Sequence, residues 1–226
     1  MLAAGRNASP QATDALEKLC RTYWYPLYAF VRRQGNSAHD AEDLIQEFFA
    51  RLLEKDYLAG VQPGKGKFRT FLLTSLGHFL SNERDKARSQ KRGGGRSFIS
   101  LDDAKAENRY QMEPASDLSP EKIFERRWAI ALLDQALAGL REEALTAGKV
   151  HLFDELKVFI TDKGDAGDYP AAATRLAMTE VAVRVAVHRL RARYGELLRA
   201  EIAQTVSSPA EIDEEIRHLF AVFGGT

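Results

Sequence analysis

Only one cysteine, Cys20, occurs in the 226 residues. That excludes an internal disulfide and any zinc site built on cysteines. Histidine is sparse too, five in all, and His39, His78, His151, His188 and His218 show no H-x-x-x-H spacing of the kind metal hydrolases use. No apolar run approaches the roughly 18–20 residues that cross a bilayer, and the N-terminus has no apolar signal-peptide core. These absences point to a cytoplasmic protein with no membrane partner, no metal and no other cofactor. Net charge is missing as well: 32 Lys plus Arg balance 32 Asp plus Glu. A neutral total at first argues against nucleic acid as a partner.

What is present is charge sorted into blocks. Residues 39–56 hold six acids against two bases, and 82–96 hold six bases against two acids. Residues 101–125 return to seven acids against three bases, and 179–199 carry five bases against two acids. A zero sum built from alternating blocks predicts a protein that meets partners of both signs.

The first block contains HDAEDLIQEFF (39–49). At helical spacing Ala41, Leu44, Ile45, Phe48 and Leu52 share one side, a core-facing stripe. Asp40, Asp43 and Glu47 share another, with Glu42 and Gln46 beside them. Three readings compete: a solvated acidic face, a metal or acid–base site, and a docking face for a basic partner.

Elsewhere the periodicity is almost all helical. Residues 11–34 place apolar side chains at 16, 19, 23, 27, 30 and 31, which predicts a helix pair or one helix disturbed at Pro26. Gly35-Asn36 is a stop signal, and Ser37 can cap the acidic helix that runs to about Lys55. The stretch 59–66 lacks phosphate-loop spacing and reads as a flexible connection. Phe68, Phe71, Leu72, Leu76, Phe79 and Leu80 mark another helix, fading into basic ERDKARSQKRGGGR. Gly93-Gly94-Gly95 is a hinge, and 97–120 reads as a polar, acidic linker. A second helical unit runs from Glu121 to about Ile160, followed by a loop at 161–168. Ser207-Ser208-Pro209 precedes an amphipathic piece with Ile212, Ile216, Leu219 and Phe220 on one face.

Between these lies a helix pair. Asp168 can cap a short helix with Pro170 in its first turn, and Thr179 can cap the next. The second helix buries Val183, Ala186, Val187, Leu190 and Tyr194. Its other face carries Val181, Arg184, Val185 and His188, flanked by Arg189 and Arg191. A helix-turn-helix has this pattern: Arg184 can read guanine edges and the valines can meet thymine methyls. An ordinary antiparallel helix pair with a basic solvated face is the alternative.

Together, YWYPLYAFVRR (23–33), HDAEDLIQEFFARLL (39–53), KFRTFLLTSLGHFLSNERDKAR (67–88) and MTEVAVRVAVHRLRARY (178–194) resemble a bacterial extracytoplasmic-function (ECF) type RNA polymerase sigma factor. The resemblance implies that Asp40, Glu42, Asp43, Gln46 and Glu47 grip core RNA polymerase. It implies minus-ten promoter contacts from Arg69, Phe71, His78, Asn82, Arg84, Arg88 and Lys91. Of these, Arg84, Arg88 and Lys91 fall at i, i+4, i+7, a stripe able to follow phosphates. Thr179, Val181, Arg184, Val185, His188, Arg189 and Arg191 would meet the minus-thirty-five element. The acidic linker is implied to lie in the polymerase's RNA path, with an inert tether as the alternative. The chain departs from the family where Phe71 replaces a usual Trp, and where His78 and Asn82 stand in place of Asn and Asp.

The expected fold is all-α: two helical domains joined by an acidic flexible linker, the second ending in a helix-turn-helix. The boundaries expected are 1–92 for a region-2-like domain, 93–125 for the linker, 126–206 for a region-4-like domain and 207–226 for a C-terminal tail. Core RNA polymerase and promoter DNA are the partners implied, with an anti-sigma factor or other regulator as a further one. No side chain is expected to do catalysis. A helix-turn-helix regulator acting without polymerase is the rival; it would leave the acidic helix unused.

Overall fold

Pro26 does not break the first helix. In the structure, a computed structural model, α1 runs unbroken over Pro10–Arg33 with Pro26 inside it. Residues 10–54, 67–89, 103–111, 118–161, 168–206 and 208–224 are described. The expected connection at 59–66, the glycine hinge and Lys91 lie outside them, as does part of the expected linker. Ten α-helices and no strand occur among the described residues, so the fold is all-α. No helix there is long and apolar enough to cross a membrane.

The chain divides into two compact units, Met1–Ala131 with Thr205–Thr226, and Leu132–Gln204. The first contains α1, α2 (Ala38–Glu54), α3 (Phe68–Ser89), α4 (Asp103–Gln111), the start of α5 (Pro120–Thr146) and α10 (Pro209–Gly224). Gly35 turns the chain after α1 with φ +89°, a conformation that favours glycine. Ser37 Oγ accepts from the Asp40 amide at 3.1 Å and donates to its carboxylate at 2.6 Å, capping α2. Helix α1 packs on α2, and α2 on α3. Tyr23, Leu27 and Val31, Ala41, Ile45 and Phe48, and Leu72, Leu76 and Leu80 are buried, as their spacing predicts.

Helix α5 starts in this same core. Ile123, Phe124 and Trp128 are buried, and the Trp128 indole donates to the Tyr23 hydroxyl at 3.2 Å. The domain boundary expected near 126 therefore falls inside a continuous helix. Part of the expected linker is structured as well. Helix α4 docks through Glu107, whose carboxylate accepts from Tyr28 Oη at 2.5 Å and from Arg32 Nε and Nη2 at 3.0 and 2.8 Å. The Tyr110 ring meets Tyr28 edge-on, and Arg109 lies 4.5 Å over the Tyr25 ring. Those Arg32 hydrogen bonds outweigh partial burial and hold the Glu107 carboxyl below its usual value.

The expected C-terminal tail is an element of this unit too. Leu219 is fully buried and Glu215 is 1% exposed, while Phe220 points outward at 59%. Spacing alone placed Phe220 on the apolar face; the structure turns that face toward Leu219 and Glu215 instead.

The second unit contains the rest of α5, α6 (Val150–Leu156), α7 (Val158–Thr161), α8 (Tyr169–Arg175) and α9 (Glu180–Ala203). Leu156, Phe159, Ala172, Ala173, Val183 and Val187 form its core. Asp168 caps α8 by accepting from the Ala171 amide at 3.0 Å, and Thr179 caps α9 by accepting from Ala182 at 3.2 Å. Between the two helices Ala177 takes φ +50°, and the Met178 amide returns to the Ala173 carbonyl at 2.9 Å. That closes α8 in a left-handed turn. Tyr194 donates to the Leu133 carbonyl at 3.2 Å, fixing α9 to α5 within the unit.

The two tryptophans, Trp24 and Trp128, both belong to the first unit, so their fluorescence reports its unfolding separately. Leu219→Ala should destabilise that unit by about 2–5 kcal/mol, whereas Phe220→Ala should stay within about 0.5 kcal/mol. Urea titration followed by tryptophan emission checks both values. Equal, small effects would mean that α10 does not complete this core.

Candidate partner and nucleic-acid interfaces

The acidic face of α2 is mounted on a closed apolar base. Ala41 and Ile45 are fully buried, with Phe48 and Leu52 nearly so. Helical spacing then turns Asp40, Asp43 and Glu47 to solvent, with Glu42 and Gln46 half-buried beside them. Asp40 is held by Ser37, and Asp43 lies 3.6 Å from His39. Glu47 pairs with Arg51, which also reaches Glu83 on α3 at 2.9 Å and covers the Phe79 ring at 4.9 Å. Partial burial raises the Glu83 carboxyl, but Lys86 and Arg51 overcome it and hold it below its usual value. This face is a set of carboxylates at fixed spacing, able to meet a basic surface with little ordering cost. The brace from Arg51 to Glu83 crosses between two helices, and helix-by-helix reading missed it.

On α3 the candidate residues separate. His78, Asn82 and Arg84 are exposed and Phe71 is half-buried; Phe71, His78 and Asn82 follow one another at i, i+7, i+11, along one side. Arg84 donates to the Gln34 side chain at 2.7 Å. Arg88 belongs to the last turn of α3, its side chain outside the described residues, and Lys91 lies beyond them.

Arg69 does not join that side. It is 7% exposed and continues the buried stripe of Leu72, Leu76 and Leu80 at 3- and 4-residue steps, a register readable in advance. Its guanidinium meets Glu215 through Nε at 2.8 Å and Nη2 at 3.2 Å, pairs with Glu125, and lies 4.9 Å over the Trp128 ring. Lys67 joins Glu215 at 2.6 Å. His218 meets the other Glu125 oxygen at 2.8 Å, its ring 6.1 Å from that of Trp128. Burial pushes the Glu215 carboxyl up; hydrogen bonds from Arg69 and Lys67 more than reverse that and leave it below its usual value. Lys67, Glu125, Glu215 and His218 were missed because no local pattern links them.

In the second unit α9 presents Val181 at 71% and Val185 at 45% exposure. Arg184, His188, Arg189 and Arg191 are exposed with them, as is the cap Thr179. Arg184 is steered by Glu180 one turn earlier, at 2.5 Å, and lies 4.2 Å over the Tyr169 ring. Arg191 donates to the Phe159 carbonyl at 2.6 and 3.1 Å, which ties it to α7. Exposed valines between arginines form a surface suited to base edges and phosphates.

Residues 19–90 match the family model for sigma-70 region 2. They span the later part of α1 and all of α2 and α3, with the acidic face and the exposed side of α3. The match supports a sigma-70 family factor, and with it binding to RNA polymerase and promoter recognition in general terms. No curated protein and no solved structure matches the chain.

The Arg69 cluster carries a pH signature. The folded Glu215 carboxyl titrates below its usual 4.5. Its contribution is therefore complete above that value and is lost as pH falls through the lower folded one. Tryptophan-monitored stability of the first unit should fall below about pH 4.5, and Glu215→Gln should be less stable at neutral pH with a flatter acid limb. An unchanged acid limb in the variant would remove Glu215 from the account.

Proposed function

We propose that this chain is an ECF-type sigma factor, a cytoplasmic transcription initiation factor with no catalytic residue of its own. It binds core RNA polymerase through Asp40, Glu42, Asp43, Gln46 and Glu47 on α2. It contacts the minus-ten element through Phe71, His78, Asn82 and Arg84 on α3, with Arg88 and Lys91 following phosphates. Helices α8 and α9 act as a helix-turn-helix that reads the minus-thirty-five element from the exposed face of α9. The observation that carries this reading is the acidic face of α2, rigid on its apolar base, inside the segment that matches sigma-70 region 2. Basic polymerase helices would meet carboxylates whose geometry is already set, so little ordering entropy opposes docking. The expected minus-ten role of Arg69 is not carried into this proposal, because its guanidinium is enclosed by two carboxylates and an indole.

Melting DNA needs compensation for unstacking, a few kcal/mol per base, from a pocket and from phosphate contacts. The exposed side of α3 supplies polar and aromatic groups for the first, and the basic stretch after it supplies cations for the second. A regulator acting without polymerase would use α8 and α9 but leave the face of α2 without a task.

The direct test is transcription by purified core RNA polymerase on a genomic DNA library, with and without the protein. New start sites that depend on the protein are expected; their absence would refute the proposal. Replacing Asp43 and Glu47 together by Lys should abolish core binding while helix content and melting stay nearly unchanged, since both side chains are exposed. Normal core binding by that double variant would remove α2 as the docking face.

The two DNA-facing regions should also separate. Arg184→Ala should flatten preference at one or two upstream base pairs, a loss of about 1–3 kcal/mol of discrimination. Replacing Arg88 or Lys91 should weaken all promoters alike and lower the salt slope by about one unit. A promoter-library selection with each variant, alongside salt-dependent holoenzyme affinities, measures both. Upstream preference that follows Arg88 instead of Arg184 would reverse the assignment.

A further inference from the structure

Helix α3 begins against the C-terminal segment of the chain. The Phe68 amide, a first-turn donor that α3 itself cannot satisfy, donates to the Thr205 carbonyl at 3.3 Å. On either side of Phe68, Lys67 reaches Glu215 at 2.6 Å, and Arg69 is held by Glu215 at 2.8 Å and by Glu125. Three successive residues are thus fixed from α10, the turn before it and α5, with Arg69 and Glu215 separated by 146 positions. Phe71, two residues beyond Arg69, opens the exposed side of α3. A site that captures an unstacked base must be held within about 0.5 Å by supporting groups, and one helical turn cannot supply that rigidity alone.

We propose that Glu215 is a positioning residue for promoter melting: through Lys67 and Arg69, and together with the Thr205 cap, it sets the start of α3 in the form that receives a flipped base. This rests on the sigma-factor reading above. Removing the carboxylate leaves Arg69 with Glu125 alone and Lys67 without its nearest acid, so the first turn loses the anchor that orients Phe71. The acidic face of α2 stands on its own apolar base and is untouched by that loss. Core binding and promoter opening therefore respond differently to Glu215, which a general loss of folding would not produce.

The test uses holoenzyme assembled from core RNA polymerase and the full chain. The promoter comes from the library transcription and carries 2-aminopurine in its minus-ten element. Glu215→Gln should keep core affinity within about twofold and slow opening about tenfold, with Glu215→Asp between it and the unaltered chain. Lys67→Gln should slow opening by a smaller factor; its half-buried side chain makes it the variant to use if Glu215→Gln does not fold. Opening at the unaltered rate overturns the proposal. So does a parallel loss of opening and core affinity, which would make the role structural only. Faster opening also overturns it, since α10 would then be competing with DNA. If the unaltered chain neither binds core nor opens a promoter, the sigma-factor reading fails and takes this inference with it. If the unaltered chain opens promoters and the variants match it, this inference alone fails.

Discussion

The first unit depends on a guanidinium with almost no access to water. Arg69 is enclosed by the Glu215 and Glu125 carboxylates and the Trp128 ring. A buried charge is tolerated only when it is paired and hydrogen-bonded, and stripping one partner from such a pair costs about 3–5 kcal/mol. Arg69 therefore dictates that α5 and α10 be in place before α3 can close on them. Trp128, hydrogen-bonded to Tyr23, carries the same constraint into α1. Four helices distant in sequence are organised around one cation.

Neutrality of the whole chain conceals how its charges divide between internal pairing and display. Glu107 and Glu125 belong to the acidic block at 101–125, yet one latches α4 to α1 and the other holds Arg69. In α9, Arg193 meets Glu143 at 2.7 Å and Glu196 at 2.5 Å, while Arg184, His188 and Arg189 face outward. On α2, Asp40, Asp43 and Glu47 likewise face outward. A block count therefore overstates what a linker or a basic helix offers to others. The faces that stay open are those whose acids or bases share one side of a helix opposite a buried stripe.

Much of the architecture was legible because its causes are local. The apolar stripe of α2, the caps Ser37, Asp168 and Thr179, and the exposed valines of α9 all follow from side chains within a few positions of one another. Pro26 misled because losing one amide does not end a helix whose neighbours Tyr25, Leu27 and Tyr28 are buried. The linker misled because α4 is anchored by Glu107 to Tyr28 and Arg32, and no short-range pattern announces such a partner. Arg69 is the instructive miss. The family resemblance assigned it to DNA, while its register with Leu72, Leu76 and Leu80 pointed inward, and in the structure it lies in that buried stripe.

Because the second unit is inserted into the first, the chain leaves unit one within α5 and returns to it at Thr205. A ribosome adding about 5–20 residues per second needs roughly 7–30 s to travel from Arg69 to Glu215. Until Glu215 is added the arginine lacks one of its two acids, and until Thr205 is added α3 lacks the carbonyl that caps it. A nascent or prematurely terminated chain thus carries an N-terminal half that resists closure and remains open to proteases. The order of synthesis makes α10 a check that the chain has been made as far as Glu215.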